Sequence, residues 1–550
     1  MKFKNFRGMA LLFALLSLTT LACGLFDDGA EDIPRNAAVV NVVANTSLKA
    51  WLETAVPNFN ASETENAAGD PVYVVVEYTE SGQAVTQMAG GTDVALWLPE
   101  EQVWVNLLAD QGNGSFQNDC VSVVESPLVI GMWRSVAEAL GWPGLPLGWL
   151  DIGSLAADPS AWNYYSGGEL GDTFRLGHTH PGLSGSGAST LLALVQSAQS
   201  KTDAVTIEDI QQPIVQASVG AFEGGVTWFS ASTDALADTM QQRGVNYLTA
   251  AVMYENTAVY YGNGDIVPIY PLEGTFMATH PACLNAAADS TAQEGAQMFR
   301  DYLLDVEGQE TAVSVGLRPV NSAVSVGAPL DEAHGVDLAQ PAIVFNSPSV
   351  AAIYGVQDVW AAARKDVNLV MLLDTSGSMR GSKMDNMRTA AEQFVEQMGD
   401  DDYITLIAFA TEPILLVQHV QVGPNRQKII GTIARLEASG DTTLFDAIGD
   451  GAAMIAETTQ SDTTNALVVL TDGQDTRSYR YSFNDALVQA AAANNTTVFT
   501  IAYGTDADED VLSALAASAN GNFYLGDEAS IAAIYEEMSA AFGGNVGVGR

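Results

Sequence analysis

The stretch VNLVMLLDTSGSMRGSKM, residues 367–384, joins a buried-strand pattern to a polar ending. Its continuous apolar run is typical of a parallel strand that is covered on both faces. The run stops at Asp374, and Ser376 and Ser378 follow it. In an open parallel sheet, ligands bind in the loops beyond the carboxyl ends of the strands. The stretch therefore predicts a binding site on the first strand of a doubly wound sheet.

Two later loops carry matching side chains. Thr442 and Thr443 precede a helical pattern, and Asp472 ends the apolar strand in LTDG. Together with the first loop they offer two carboxylates and three hydroxyls, which are hard oxygen ligands. Such ligands suit Mg²⁺, Mn²⁺ or Ca²⁺, and no nearby cysteine or histidine in the sequence favours zinc. The sequence predicts a divalent-cation site formed by three loops.

The ordered motifs DTSGSM, a threonine in a glycine-bearing loop, and LTDG resemble the metal-ion-dependent adhesion site of von Willebrand factor A domains. The resemblance covers about 367–545. It implies a bound divalent cation, Mg²⁺ in the first place and Mn²⁺ or Ca²⁺ as alternatives. The residues that would hold it are Asp374, Ser376, Ser378, Thr442 and Asp472.

The resemblance also assigns roles to these residues. Thr442 is preferred to Thr443 because the family pattern has a threonine, one further residue and then a leucine, here Leu444. The serines and the threonine would ligate directly, and the aspartates would often act through water. An open coordination position would then accept an acidic side chain of a partner protein. The alternative is a domain of the same fold that binds no metal.

The region 37–345 also alternates short apolar strands with amphipathic helices, which predicts parallel sheet with right-handed crossovers. Two long extended segments, at 124–133 and 267–283, suggest a chain that builds one lobe, crosses to a second and returns. The stretches GTDVALWLPEEQVWVNLL, SPLVIGMWRSVAEALGWP and IYPLEGTFMATHP resemble extracellular solute-binding proteins of bacterial ABC transporters, of the type II periplasmic kind.

The predicted fold class is therefore α/β, in two domains. A two-lobed periplasmic-binding-protein-like domain at 37–345 is followed by a connecting helix at 346–365. A doubly wound, Rossmann-like von Willebrand factor A domain occupies 366–545.

The N-terminus resembles a bacterial lipoprotein signal. A basic start is followed by a short apolar run and then LTTLACG, which places a small residue before Cys23. The resemblance implies a signal peptide at 1–22, lipidation of Cys23 and an acidic tether at 23–36. The protein would then sit, lipid-anchored, at the extracellular or periplasmic face of the cell membrane. The alternative is an ordinary cleaved signal with an incidental cysteine.

Export also bears on the remaining cysteines. After Cys23 only Cys120 and Cys283 remain, and in an oxidising compartment two cysteines most simply pair. We expect a disulfide between them, with two buried free thiols as the alternative.

Small polar residues precede several helices of the first domain. Helix N-termini of this kind present free N–H groups and a favourable dipole, which suit a polar or anionic solute. Plain helix capping explains each loop equally well. The candidate ligand-binding residues are Thr46, Ser47, Ser81, Ser184, Ser186 and Tyr254.

The charge balance excludes some partners. With 66 acidic against 22 basic residues, a net charge of −44 repels nucleic acid and anionic lipid surfaces. The sequence contains no GxSxG, HExxH or SxxK motif, so no enzymatic activity is expected.

These observations predict an exported, lipid-anchored binding protein. A metal-dependent adhesion site would bind an acidic protein partner, and a cleft would bind a small polar solute. The first alternative is the solute-binding component of an ABC transporter, acting with a permease, whose von Willebrand factor A domain is accessory. The second alternative is a structural protein with a vestigial cleft.

Overall fold

The computed structural model describes most of the chain after the N-terminal segment. It covers residues 33–171, 173–459, 463–492, 496–519 and 521–548. The predicted signal peptide, the lipidation site Cys23 and the tether up to residue 32 lie outside the described residues. Within these ranges, no helix combines the length and apolar character that a membrane span requires.

The N-terminal domain is a mixed α/β unit. Its strands are β1 (Ala38–Ala44), β2 (Val72–Tyr78), β3 (Leu96–Leu98), β4 (Cys120–Ser122), β5 (Val124–Trp133), β6 (Leu176–Thr179), β7 (Val226–Ser230), β8 (Ala250–Tyr254), β9 (Ile266–Ile269), β10 (Met277–Ala278), β11 (Pro281–Leu284) and β12 (Arg318–Pro319). Its helices are α1 (Lys49–Ala61), α2 (Ser81–Met88), α3 (Gln102–Asp110), α4 (Arg134–Ala139), α5 (Trp149–Ala157), α6 (Pro159–Ser166), α7 (Gly185–Gln199), α8 (Ile207–Ile210), α9 (Pro213–Glu223), α10 (Thr233–Arg243), α11 (Glu255–Gly262), α12 (Ser290–Leu304), α13 (Val306–Ser314) and α14 (Val350–Ala363). Short 3₁₀ helices lie at Thr46–Leu48 and Glu332–His334.

The first lobe is built on a five-stranded sheet with the order β2-β1-β3-β11-β4. Valine-rich β1 suits a strand because β-branched side chains pack well on a pleated surface. It pairs in parallel with β2 and β3, so the carboxyl ends of these three strands share one edge.

The second lobe has the sheet order β10-β5-β8-β6-β7, and β9 and β12 also pair with β5. The chain crosses into this lobe between β4 and β5 and returns between β10 and β11. The two predicted crossovers are therefore confirmed. The Gly82 N–H of the first lobe donates to the Leu183 carbonyl of the second at 2.7 Å, so the two lobes touch across the cleft.

The predicted disulfide between Cys120 and Cys283 is present in the structure. It joins β4 to β11, where the two cysteines lie opposite each other in antiparallel register. The bond therefore holds the outgoing and returning crossover strands together.

The C-terminal domain is a doubly wound sheet. Its strands are β13 (Asp366–Asp374), β14 (Tyr403–Phe409), β15 (Pro413–Gln421), β16 (Thr463–Thr471), β17 (Thr496–Tyr503) and β18 (Phe523–Gly526). Its helices are α15 (Ser382–Gln397), α16 (Val422–Ile433), α17 (Leu444–Thr458), α18 (Phe483–Ala492), α19 (Glu509–Ser518) and α20 (Ile531–Ala541), with a short 3₁₀ helix at Gly377–Met379.

The strand order of this sheet is β15-β14-β13-β16-β17-β18. All pairs are parallel except β14 with β15, which is the antiparallel edge hairpin that the sequence predicts. Chain order reverses at β13, so its carboxyl end is the topological switch point where ligands bind in such sheets.

The two domains share a junction of defined contacts. Helix α14 packs on α7, α8 and α9 of the second lobe, and Trp360 joins the core there. Arg364 then pairs with buried Asp402 of the C-terminal domain at 3.0 and 3.1 Å. At the other end of that domain, the Val548 N–H donates to the Gly182 carbonyl at 2.7 Å. The connecting helix thus belongs structurally to the second lobe.

Candidate functional site

Asp374 is placed by the sheet itself. It is the last residue of β13, which pairs in parallel with β14 on one side and β16 on the other. Its side chain is fully buried. One carboxylate oxygen accepts the Ser376 N–H at 2.7 Å, and the other accepts the Thr471 hydroxyl at 2.6 Å. Because both oxygens are engaged, this carboxylate orients the loop and supplies charge.

The other predicted residues meet beside it. Ser376 Oγ and Ser378 Oγ lie 2.9 Å apart, and Ser378 donates to Asp472 Oδ1 at 2.6 Å. A Cβ built on Gly473 would lie 3.8 Å from Thr442 Oγ1 and 3.9 Å from Ser378 Oγ, so the hydroxyls of two loops lie beside the third loop. The structure therefore brings the five predicted residues together.

The structure also favours Thr442 over its neighbour. The Thr443 hydroxyl donates to the Ala410 carbonyl at 3.0 Å, which ties it to another strand. The Thr442 backbone is held by two loop residues, since its carbonyl accepts the N–H groups of Thr476 and Arg477. Its side chain is consequently presented at the site.

Two buried carboxylates make the site electronegative. The pKa of Asp374 is raised to about 6, mainly by burial and with a smaller contribution from the nearby charge of Asp472, while its hydrogen bonds oppose the rise. Lys383 partly compensates this charge, since its Nζ lies 2.6 Å from Asp472 Oδ2. The Lys383 side chain is 25% exposed and that of Asp472 is fully buried.

The donor set fits a hard divalent cation. The five predicted side chains all offer oxygen, and the charge of the two carboxylates matches that of a dication. No group of three or more histidine, cysteine or acidic side chains that could hold a metal is found among the described residues. This finding agrees with a site that relies on hydroxyls, since only two of its five members are acidic.

Lys383 stands where it competes with such a cation. We expect Lys383→Met to lower the stability of the chain in EDTA by about 1–2 kcal/mol, because buried Asp472 would lose the ammonium that pairs with it. The affinity for Mn²⁺ should rise about tenfold, since no ammonium then has to be displaced. Calorimetric titration with Mn²⁺ measures this, with Lys428→Met on exposed α16 as the matched control. Equal Mn²⁺ affinity in both variants would contradict the expectation.

The second site is the cleft of the N-terminal domain. Thr46 and Ser81 follow β1 and β2 of the first lobe, and Ser184 and Tyr254 follow β6 and end β8 of the second. All the predicted residues are buried where these strand ends face each other. Ser47 is the least directed toward a ligand, since its hydroxyl and N–H both donate to the Asn45 side chain, which caps the short helix.

Sequence reasoning missed three glutamates that dominate this cleft: Glu80, Glu100 and Glu101. Glu80 accepts the hydroxyl of Thr46 and, at 2.7 Å, the N–H of Thr233. The sequence did contain a signal for them. Each glutamate lies between a strand and the helix that follows it, which is the same placement that identified the candidate serines.

Glu100 bridges the two lobes. It accepts the hydroxyl of Ser81, the Asn45 amide at 2.6 Å and the Gly185 N–H at 3.1 Å. Gly185 begins α7, and Thr233, which donates to Glu80, begins α10. Carboxylates of the protein therefore occupy the N-termini of α7 and α10, and the expectation of a polar or anionic solute stays a prediction.

Burial governs the protonation of these carboxyls. It raises the pKa of Glu101 to about 7 and that of Glu80 above its usual value. It holds the pKa of Glu100 well above its usual value, helped by the neighbouring charge of Glu80. The physical cause is the cost of an ionised carboxylate in a poorly hydrated place.

Known families match both domains. A family model of bacterial extracellular solute-binding proteins matches residues 40–318, just over half of the 550 residues. The model of the von Willebrand factor type A domain matches residues 368–537. The fold class and the resemblances of both domains are thereby confirmed.

Curated relatives match only part of the chain. An uncharacterized protein of Synechocystis sp. is 31% identical over 162 residues, which cover 29% of this chain and 37% of that protein. An inter-alpha-trypsin inhibitor heavy chain of Mus musculus is 26% identical over 185 residues, covering 31% of this chain and 21% of that protein. The chain thus spans about a third or less of the length of these relatives.

Solved structures are similar at low identity. The sulfate-binding protein SubI of Mycobacterium tuberculosis has 18% identity and a TM-score of 0.40, covering 58% of this chain and 98% of that chain. A von Willebrand factor type A protein of Catenulispora acidiphila has 22% identity and a TM-score of 0.30, covering 32% of this chain and 42% of that one. From the family matches, the chain belongs to the bacterial extracellular solute-binding protein family and carries a C-terminal von Willebrand factor type A domain.

Proposed function

We propose that this protein is an exported, lipid-anchored binding protein that captures a solute in its cleft and grips an acidic partner protein at a metal-dependent adhesion site. One observation carries the proposal. Five oxygen-bearing side chains from three loops converge at the switch point of the C-terminal sheet, where Asp374 and Asp472 are buried and Asp472 pairs with Lys383.

The side chains of this site would have two roles, ligation of the cation and supply of negative charge. Ser376, Ser378 and Thr442 present neutral hydroxyls, so they would hold a divalent ion without cancelling its charge. Asp374 and Asp472 supply the negative charge, and Asp374 also fixes the loop through the Ser376 N–H and the Thr471 hydroxyl. When bound, the cation supplies a Lewis-acidic position for a carboxylate of the partner.

Location supports a role outside the cytoplasm. Membership of an extracellular solute-binding family implies a periplasmic or extracellular protein. The LTTLACG motif supports the lipid anchor at Cys23, which we propose as the link to the membrane. A chain fixed at the membrane surface with an outward adhesive site suits adhesion or assembly at that surface.

A second candidate is the solute-binding component of an ABC transporter, in which the adhesion domain is accessory. The family match over residues 40–318, including both lobes, favours it. Binding of the full chain to a cognate permease in membranes, retained after Asp374→Ala, would favour this second function over adhesion.

The adhesion proposal is tested by metal-dependent stability. We expect Mg²⁺ or Mn²⁺ to raise the melting temperature of the C-terminal domain. At a free metal concentration of one hundred times the dissociation constant, the free energy of unfolding should rise by about 2.7 kcal/mol. Asp374→Ala should abolish the rise, because the loop loses both its charge and its anchor. Differential scanning calorimetry of the full chain measures both.

The matched control for this test is Asp510→Ala, which removes an exposed carboxylate on α19 far along the sheet from β13. It should leave the metal-dependent rise intact. An equal rise in Asp374→Ala and the parent chain would place the cation elsewhere. The partner is tested with an acidic-peptide array, on which Mn²⁺-dependent capture should disappear with EDTA and with Asp374→Ala.

A further inference from the structure

The cleft holds three acidic side chains that no cation of the described chain pairs with. Glu80, Glu100 and Glu101 are all buried, with exposures of 1%, 0% and 5%. Their partners are hydroxyls, an amide and backbone N–H groups, all of them neutral. Among the described residues, no lysine or arginine forms an ion pair with any of the three.

The nearby cations are committed elsewhere. Lys49 pairs with Asp234 at 3.5 Å, and Arg318 binds both oxygens of Glu255 at 2.6 and 2.7 Å. His280 lies at the returning crossover, but burial lowers its pKa to about 3, so its ring is neutral at physiological pH. None of these groups neutralises the cleft.

A second, independent observation points into the same space. The hydroxyl of Tyr254 is buried and has no hydrogen-bond partner. Its pKa is held well above the usual value by burial and then by the charges of Glu100, Glu101 and Glu80. Tyr254 ends β8 of the second lobe, at the same strand-end face as these glutamates. An unpaired buried hydroxyl is unfavourable unless a ligand uses it.

The remaining polar lining is neutral and adaptable. The hydroxyls of Ser184, Ser186 and Thr233 form a chain, with 3.0 Å between Ser186 and each of the other two. Hydroxyls can donate or accept a hydrogen bond, so they accommodate the polar part of a solute whether its charge is positive or negative. The carboxylates decide which charge the solute carries.

We propose that the cleft binds a small organic cation, a solute with an alkylammonium or guanidinium group. The carboxylates of Glu80, Glu100 and Glu101 would offset its charge. The Tyr254 phenol would serve it as a hydrogen-bond partner or through its aromatic face. This inference rests on the proposed solute-binding function and names the chemical class of the solute.

Two alternatives fit the described residues less well. An anion would face three carboxylates and find the N-termini of α7 and α10 already occupied. A bare metal ion needs converging ligands, and no group of three acidic, histidine or cysteine side chains in the described chain is placed to hold one. A larger cation can spread its charge over separated carboxylates.

The test uses the full chain, dialysed and then titrated by calorimetry with putrescine, choline and arginine. Sulfate and phosphate serve as anions, and Mg²⁺ and Mn²⁺ are each tested alone. We expect at least one organic cation to bind, and Glu101→Gln to weaken it about tenfold or more, since a charge-paired contact is lost. Glu100→Gln is the second variant, and Glu310→Gln on exposed α13 is the matched control with unchanged affinity.

Each other outcome overturns the inference. Binding of sulfate or phosphate that Glu101→Gln does not weaken would leave the solute-binding function standing and reverse the charge of the solute. Metal binding that survives Asp374→Ala but is lost in Glu101→Gln would replace the organic cation by a metal ion. Binding of no compound in the panel would remove both the cation and the proposed role of the cleft, while the adhesion site remains tested separately by its own metal response.

Discussion

Removal of the disulfide is expected to lower the free energy of unfolding of the N-terminal domain by up to about 4–5 kcal/mol. The bond closes a loop with a sequence separation of 163 residues, which contains most of the second lobe. In the chain-entropy account, the loss comes from the greater freedom of the unfolded chain. Cys120→Ala combined with Cys283→Ala provides the change without a reductant.

Tryptophan fluorescence during urea unfolding measures this loss. All nine tryptophans precede residue 366, so this signal follows the N-terminal domain and the helix α14. The metal-dependent melting of the C-terminal domain, which lacks these residues, is the internal control and should not change. Identical urea midpoints for the parent and the double variant would contradict the prediction.

Glu101→Gln is expected to flatten the pH dependence of stability. Burial raises the pKa of Glu101 to about 7 from the 4.5 of an exposed glutamate. A raised pKa means that the stabilising contribution of the protonated carboxyl is fully present below about pH 4.5 and is lost as the pH rises through about 7. The parent chain without solute should therefore lose about 3 kcal/mol relative to the variant between pH 4.5 and pH 8.

Urea unfolding at a series of pH values, again followed by tryptophan fluorescence, measures the difference between the two chains. Glu80 and Glu100 shift in the same direction, so a slope remains in the variant and the difference is the readout. Glu310→Gln is the control and should retain the parent slope. A variant that follows the parent at every pH would show that Glu101 is hydrated in the folded protein.

The C-terminal site was predictable because its information is local. Asp374, Ser376 and Ser378 lie within one loop, and β13 is apolar enough to mark its own carboxyl end. The Asp472 loop follows the parallel strand β16, and the Thr442 loop precedes helix α17, which leads into that strand. Loops at the carboxyl ends of parallel strands lie along one edge of the sheet. Lys383 was not predictable in the same way, since its contact with Asp472 depends on where the start of α15 lies over the sheet.

The cleft illustrates the opposite case. Its serines and threonines were identified as helix starts, whereas the three glutamates beside them were not, and the charge of the solute stays a prediction. A glutamate before a helix is usually exposed, and nothing in LPEEQ distinguishes a solvated pair from a buried one. Burial of Glu100 requires α7 of the other lobe to lie against it, through a contact 85 residues away in the chain.

By itself the sequence determined the two-domain α/β organisation, the two crossovers, the cysteine pair and the five oxygen-bearing side chains that meet in the C-terminal domain, since strand periodicity and short motifs encode them directly. Only the tertiary structure decided that the helix N-termini of the cleft are filled by the protein's own carboxylates, and that a lysine lies on Asp472. The physical reason is that the burial of a carboxyl group and its pairing with a cation depend on contacts between segments that are distant in the chain. These contacts set its pKa, and its neighbours in sequence do not.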